Sequence, residues 1–230
     1  MPAADAAPVP SLRLSFSEMR ERFFCALLSD VLDGLGYPNQ ALPSTIRPLD
    51  EERVMVGRAR TGLYMEVFEP PAPGENPYEL EIRLVDSLQA DEVAVFSCGR
   101  SGRIAPWGGL LSTAAQVRGA AGVLMDGLVR DIREIRAMGF PVFHGGIGPL
   151  DSKGRGKIMA IDVLVECGGV RVAPGDLVFG DADGCVVVPR GIEDRVVAAA
   201  IEKLSGERRT MEALRAGRPL GEVFAEFGIL

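Results

Sequence analysis

GVLMDGLVRDIRE, residues 122–134, is the stretch on which the fold turns. An apolar run, Val123-Leu124-Met125, stops at Asp126-Gly127; two more apolar residues lead to Arg130-Asp131 and then to a segment of helical spacing. A short apolar run closed by glycine reads as a buried strand. Ile132, Ile135 and Met138, with Gly139 behind them, read as one face of a short helix and its stop. The pattern continues on both sides. Residues 92–98 predict a strand, 110–118 a helix, 122–126 a strand, 132–138 a helix and 141–144 a strand. Such alternation predicts βαβ units on a parallel sheet.

Further out the character changes. Residues 15–35 carry Met19, Phe23, Phe24, Leu27, Leu28, Val31 and Leu32 at helical spacing. They predict one amphipathic helix ending at Gly34 or Gly36, with Ser29-Asp30 as the place for any break. A proline-containing loop over 38–52 leads to strand character at 56–69, a surface turn cluster at 70–77 and a short helix over 78–89. From 158 onward β-branched residues are punctuated by Gly168-Gly169, Pro174-Gly175 and Asp183-Gly184, which predicts short antiparallel strands. A long helix over about 191–216 and a short one in LGEVFAEFGIL close the chain. The expectation is a loose, Ala- and Pro-rich tail over 1–14, then a single α/β domain over 15–230. Its mixed central sheet would run from βαβ units into antiparallel strands.

With 230 residues, 47% of them hydrophobic, the chain can bury a substantial core. No apolar run approaches the roughly 20 residues that span a bilayer. MPAADAAPVPSLRL lacks the basic and apolar regions of a secretory signal, so a cytoplasmic location is expected. A net charge of -7 disfavours nucleic acid and anionic membrane surfaces as partners. Cys25, Cys98, Cys167 and Cys185 are scattered and read as reduced core residues rather than a zinc site. There is one histidine, His144, and there are three lysines, Lys153, Lys157 and Lys203.

Arg130-Asp131 needs an explanation. Locally, Asp131 as N-cap and Glu134 three residues on make a capping-box-like pair. That leaves Arg130 unexplained, because an arginine between a buried strand and a helix start must find a partner or reach solvent. Ligands gather beyond the carboxyl ends of parallel strands, which is where this pair falls. WGGLLSTAA, residues 107–115, opens the preceding helix at the same end. Gly108-Gly109 lets a ligand approach the backbone, and the first amides of that helix are unpaired. An arginine fork beside a helix N-terminus receives a small carboxylate. An adjacent aspartate can hold a hard divalent cation such as Mg²⁺.

Gly109, twenty intervening residues, Arg130-Asp131, two residues and Glu134 form a G-x20-R-D-x2-E pattern. It resembles the RraA-like family, whose members include class II pyruvate aldolases acting on 4-hydroxy-4-methyl-2-oxoglutarate and 4-carboxy-4-hydroxy-2-oxoadipate. Regulators of RNase E activity belong to it too. SDVLDGLG (29–36), the 107–131 segment, MGFPVFHGG (138–146) and PGDLVFGDADGCVVVP (174–189) also look like family segments. The resemblance covers about 15–230 and implies a swivelling β/β/α-like fold. It implies that Asp131 is the direct metal ligand, with waters completing the shell. Arg130 would bind the substrate carboxylate or keto oxygen and stabilise the enolate. Backbone amides of Gly108, Gly109, Leu110 and Leu111 would grip the pyruvate carboxylate. Several family aldolases carry an acidic residue where this chain has Gly109, so that outer carboxylate is missing. The family also implies a homotrimer or hexamer in which a neighbouring subunit lends a glutamate from its C-terminal helix, either Glu202 or Glu207 here.

The chemistry stands without the family. Cleaving a C–C bond beside a 2-oxo acid requires a Schiff base or a stabilised enolate. Lys203 lies on a surface-type helix, and Lys153 and Lys157 lie in the polar loop DSKGRGK, so no lysine suits the first route. A multi-histidine zinc site is impossible with one histidine unless subunits share. A carboxylate-held Mg²⁺ or Mn²⁺ remains, which Asp131 offers. His144, at a strand exit, is a candidate base or a turn-capping residue, and Lys153 either orders an anion or is solvated. Asp30 is expected in buried helix pairing, Asp126 on the turn that positions Arg130, Asp181 and Asp183 in a hairpin turn, and Trp107 as a packing anchor. The leading expectation is a metal-dependent lyase that releases pyruvate from a 4-hydroxy-2-oxo acid and decarboxylates oxaloacetate. The alternative is a non-catalytic protein that binds a ribonuclease, disfavoured because those regulators lack parts of the motif. A methyltransferase is excluded by the lack of a glycine-rich cofactor loop.

Overall fold

Val93, Val95 and Leu124 point to one side of the central sheet, and Ala94, Phe96, Val123 and Met125 point to the other; all seven are fully buried. A strand covered on both faces is what an apolar run without polar alternation encodes. The structure is a computed structural model in which residues 14–229 are described. Apart from Leu14, the expected tail over 1–14 lies outside the described residues.

The elements, in order, are α1 (Phe16–Arg22), α2 (Cys25–Gly34), β1 (Arg47–Pro48), β2 (Met55–Glu66), α3 (Glu79–Ser87), β3 (Glu92–Ser97), α4 (Gly109–Val117), β4 (Gly122–Met125) and β5 (Leu128–Val129). Then come α5 (Ile132–Met138), β6 (Val142–His144), β7 (Gly146–Ile147), β8 (Gly156–Ile161), β9 (Val165–Cys167), β10 (Val170–Val172), β11 (Leu177–Asp181), β12 (Gly184–Val188), α6 (Glu193–Arg215) and α7 (Leu220–Phe227). The main sheet runs β1-β6-β4-β3-β2-β11-β12, with β8 on the far half of β2. β2, β3, β4 and β6 are mutually parallel, and the remaining pairings are antiparallel. The segment before β1 pairs with β12 through Ala41 and Val186, so the sheet is nearly closed. This is the mixed α/β architecture that the alternation predicts.

Three apolar clusters follow from the strand periodicity. The concave interior holds Met55, Leu124, Phe143, Val178 and Val187, capped by the β9–β10 hairpin. Outside, α3, α4 and α5 cover Phe96, Trp107 and Met125, while α1, α2 and α6 cover Val56, Phe179 and Val188. The four cysteines are buried and unpaired. No described helix is long and apolar enough to cross a membrane.

Three local expectations are corrected. The first helix breaks at Phe23-Phe24, not at Ser29-Asp30, because both phenylalanines adopt extended backbone and the amide of Cys25 is capped by the Asp181 carboxylate at 2.7 Å. α1 itself starts on a Ser15–Glu18 capping box. Asp30 is exposed and pairs with Lys203 at 2.5 Å, which rules out a buried role. Asp126 does not serve the turn before Arg130. Its carboxylate accepts from the amides of Cys98, Arg100 (3.1 Å) and Gly168 (3.2 Å), tying the end of β3 to the β9–β10 hairpin. Asp181 and Asp183 do form the hairpin turn, with Asp183 N–H on Asp181 at 2.9 Å.

Asp126 is 5% exposed and serves three backbone donors. Asp126→Ala is expected to cost roughly 3 kcal/mol of stability, since each stranded buried amide costs about 1–3 kcal/mol. Asp126→Asn, which keeps one acceptor oxygen, is expected to cost less. Urea unfolding checks this as a lower midpoint at unchanged slope.

Candidate active site

Trp107 and Val129 form an isolated parallel bridge, in which Arg130 N–H donates to Trp107 C=O at 3.0 Å. This pairing sets the residue after Trp107 beside the residue after Val129. Trp107 is fully buried, tilted against Phe96 at 5.6 Å and stacked on Phe140 at 6.2 Å, and its indole N–H donates to Ser112 Oγ at 2.7 Å. It is the packing anchor the sequence suggests, and it holds the start of α4 in place.

Opposite it, Asp131 is the N-cap of α5 in the left-handed region, at φ 58° and ψ 35°. It makes no side-chain cap bond, so the expected capping box with Glu134 does not form. Its Oδ2 instead accepts the amide of Gly109 at 3.1 Å, across the cleft and 22 residues back. The unusual backbone aims the carboxylate at the N-terminus of α4, where the helix dipole favours negative charge. A Cβ on Gly108 would stand 2.6 Å from Asp131 Oδ2, and one on Gly109 would stand 2.5 Å from Glu134 Oε2. The two glycines therefore make room for two carboxylates. Glu134 occupies the place that an acidic side chain at 109 would need.

Arg130 and Asp131 share a cavity of about 300 Å³ with Gly108, Leu110 and Leu111. The far wall comes from α3 and the loop after β7: Tyr78, Glu81, Asp151 and Ser152. The Arg130 guanidinium lies 3.8 Å from Asp151, whose other oxygen accepts from Tyr78 Oη at 2.7 Å. Burial works to raise the Asp151 carboxyl, but the Tyr78 hydroxyl, the Lys153 amide and Arg130 outweigh it and hold the group below the usual carboxylate range. Burial and the Asp151 hydrogen bond push the Tyr78 hydroxyl up to about 12. Glu81 is buried and bonded to the Tyr64 hydroxyl.

The structure thus brings together Gly108, Gly109, Leu110, Leu111, Arg130, Asp131 and Glu134. It does not bring in the other candidates. His144 sits at the end of β6, outside the cavity lining, with Nδ1 buried and unpartnered among the described residues. Burial and the charge of Arg136 lower its pKa. Lys153 is exposed beside the cavity residues Asp151 and Ser152 without lining the cavity itself. Glu202 is exposed on α6 and Glu207 faces Lys203 at 4.0 Å, both away from this chain's cavity lining. Tyr78, Glu81 and Asp151 escaped the sequence reading. Glu81 carried a signal: it falls three and four residues before the buried Leu84 and Val85, on the apolar face of its helix.

A divalent cation fits this donor set. Among the described residues no three His, Cys, Asp or Glu side chains form a cage. The Asp131 and Glu134 carboxylates over the glycine pair suit a hard ion that keeps most of its waters.

The RraA-like family, described as Aldolase/RraA, matches residues 25–187. A protein of Halalkalibacterium halodurans named "Putative 4-hydroxy-4-methyl-2-oxoglutarate aldolase" is 37% identical over 187 residues, covering 81% of this chain and 82% of its own. A Thermus thermophilus protein named 4-hydroxy-4-methyl-2-oxoglutarate aldolase is 32% identical over 66% of this chain and 87% of its own. The crystal structure of Streptomyces coelicolor RraAS2, titled an unusual member of the RNase ES inhibitor RraA protein family, superposes with a TM-score of 0.73. It is 28% identical and covers 83% of this chain and 92% of its own.

The left-handed backbone of Asp131 yields a stability test. Asp131→Gly and Asp131→Ala both lose the bond to Gly109, but only glycine relieves the positive φ. The glycine variant is expected to be more stable than the alanine variant by about 1 kcal/mol, measured by chemical denaturation.

Proposed function

We propose that this chain, which belongs to the RraA-like family, is a divalent-metal-dependent lyase that cleaves a 4-hydroxy-2-oxo acid to pyruvate and a second carbonyl compound. Decarboxylation of oxaloacetate is its expected side reaction, because both reactions release the same three-carbon enolate. The observation that carries the reading is the convergence of Arg130, Asp131, Gly108, Leu110 and Leu111 on one cavity, with the Gly109 amide bonded to Asp131. The names of the Halalkalibacterium and Thermus relatives support it.

The residues divide the work by chemistry. Arg130 presents a planar fork that receives a carboxylate or the 2-oxo oxygen. Beyond Gly109, whose amide Asp131 already accepts, the amides of Leu110 and Leu111 in the first turn of α4 add hydrogen-bond donors at the same end. As the C3–C4 bond breaks, negative charge moves onto the 2-oxo oxygen. A guanidinium on the cavity wall would stabilise that charge, a contribution of about 2.7–4 kcal/mol for a single donor in comparable sites. Asp131, with Glu134 beside it, would hold Mg²⁺ or Mn²⁺, which supplies Lewis-acid polarisation of the 2-oxo group. Leu110, 86% exposed at the rim, and Leu111 offer an apolar wall for the rest of the substrate. The same reading includes a homotrimer or hexamer, with Glu202 or Glu207 of α6 lent to a neighbour's site. Exposed Met211, Leu220 and Phe224 near the end of the chain support such an assembly.

Purified protein with Mg²⁺ or Mn²⁺ is expected to release pyruvate from 4-hydroxy-2-oxo acids in a coupled lactate dehydrogenase assay, and EDTA is expected to abolish the release. Asp131→Ala and Arg130→Ala are each expected to lower kcat/KM at least ~100-fold. Full turnover in either variant contradicts the site. An inert, metal-loaded wild-type protein across a panel of such acids contradicts the function and returns the ribonuclease-binding alternative.

A further inference from the structure

We propose that Glu81 is the proton carrier of this cavity: it takes the hydroxyl proton of the 4-hydroxy-2-oxo acid during cleavage and returns it to the released enolate, with Tyr64 as its positioning residue. The inference rests on the lyase reading above and supplies the acid–base group that reading leaves unassigned.

Glu81 stands in the first turn of α3, on the face that buries Leu84 and Val85. A carboxyl on such a face is costly unless it is paired. At 7% exposure it lines the cavity shared by Arg130 and Asp131, yet among the described residues it has no cationic partner in contact. Its one hydrogen bond among the described residues comes from the hydroxyl of Tyr64 on β2, itself buried against Phe96 in an edge-on contact at 5.5 Å. A structural carboxylate in a core is normally neutralised by an arginine or several amides, as Asp126 is. Glu81 is left with one neutral donor and an opening to the cavity.

Its surroundings set its proton affinity. Burial raises the carboxyl most, the Tyr64 hydrogen bond lowers it, Asp151 raises it and Arg130 lowers it, and the balance lies at about 7. Tyr64 faces it from β2, Tyr78 from the N-cap of α3, Cys98 from the end of β3, Arg130 from the β5–α5 junction and Asp151 from the loop after β7. Only Arg130 among these is a cation. A group balanced near neutrality serves both as base and as acid. The other carboxylate on that wall, Asp151, is held below the usual range and bound to Tyr78, so it is a poor proton donor at neutral pH. His144 lies outside the cavity lining.

The proton count closes on one group. Ionised Glu81 removes the proton from the C4 hydroxyl, and the O–H electron pair forms the new C4=O bond. The C3–C4 bond breaks, its pair becomes the C2=C3 double bond, and the C2=O π pair moves onto oxygen beside Arg130. Glu81, now neutral, passes the proton to C3 while the oxygen pair restores C2=O. Pyruvate leaves and Glu81 is ionised again, with no co-reactant consumed. Decarboxylation of oxaloacetate has no hydroxyl proton to remove, so it depends on Glu81 only for the later protonation, which water can also perform.

Glu81→Gln preserves the volume and the acceptor for Tyr64 but cannot carry a proton. In the metal-loaded enzyme it is expected to lower kcat for aldol cleavage by about 10²–10⁴-fold. That loss should exceed the loss in oxaloacetate decarboxylation roughly tenfold or more. Wild-type cleavage is expected to rise with pH through an acid limb near 7. Tyr64→Phe, which removes a bond favouring the ionised form, moves that limb to higher pH. In metal-free protein with ¹³C-labelled glutamate, one carboxyl resonance is expected to titrate near neutrality and to vanish in Glu81→Gln. This holds the proposal to account even if the variant folds poorly, since the wild-type titration must still show the resonance. Equal losses in both reactions, an unshifted limb in Tyr64→Phe, or no carboxyl titrating near neutrality overturns the proposal. An inert wild-type protein overturns the lyase reading itself. An active wild-type protein with an equally active Glu81→Gln overturns only the role of Glu81.

Discussion

One backbone hydrogen bond, from Arg130 N–H to Trp107 C=O at 3.0 Å, determines where the candidate chemistry sits. It extends the sheet's parallel order past the ends of β3 and β4, through the Trp107–Val129 bridge. Residues 108–109 and 130–131 thereby become neighbours without either pair belonging to a strand. The buried Trp107 ring fixes one side of the bridge, and the left-handed turn at Asp131 directs the other. An ordinary capping geometry at Asp131 would turn its carboxylate onto its own helix. The positive φ sends it across to Gly109 instead, and the bare glycines leave space for it. Backbone strain, missing side chains and a crossing carboxylate form a single arrangement.

Much of the scaffold was legible because it obeys local rules. The strands over 92–97 and 122–125 and the helix over 132–138 follow from uninterrupted apolar runs and from three-four spacing closed by Gly139. The break at Phe23-Phe24 was not legible, because its cause is Asp181, 156 residues away, capping the amide of Cys25. Periodicity sees Phe23 and Phe24 as two more helical apolar residues. The role of Asp126 is hidden from the local sequence for a similar reason: its partners include Gly168, on a hairpin that local pattern cannot place.

The site divides along the same line. Gly108, Gly109, Arg130, Asp131 and Glu134 announced themselves as a spaced pattern beyond the ends of parallel strands. The opposite wall did not, because Tyr78, Glu81 and Asp151 arrive on α3 and on a loop that join the cavity only through tertiary packing. His144 and Lys153 stand out in the sequence by scarcity alone. Scarcity is not proximity: one is sealed at a strand end and the other points to solvent. The informative anomaly was a glutamate on the buried face of an amphipathic helix, since a charge there must be paired or adjust its proton affinity.

The charges around the cavity point back to its occupant. One guanidinium, Arg130, shares the cavity with the carboxylates of Asp131 and Asp151, Glu134 stands behind them at Gly109, and Glu81 adds a fourth when ionised. The proposed 2-oxo acid would bring more negative charge into this partly enclosed space, where like charges interact more strongly than in water. Arg130 alone cannot offset them, all the more because Asp151 already claims part of its field. Two features would relieve the excess. A divalent cation, held by Asp131 and Glu134 as proposed, would supply positive charge where those carboxylates crowd the glycine pair. A neutral Glu81 removes one negative charge from the opposite wall. On the proposed reading the two would act in opposition on the proton: an entering anion would favour neutral Glu81, and a bound cation would favour ionised Glu81. A carboxyl near neutrality under that opposing pull could change protonation state as the charge of the proposed substrate shifts from hydroxyl to enolate.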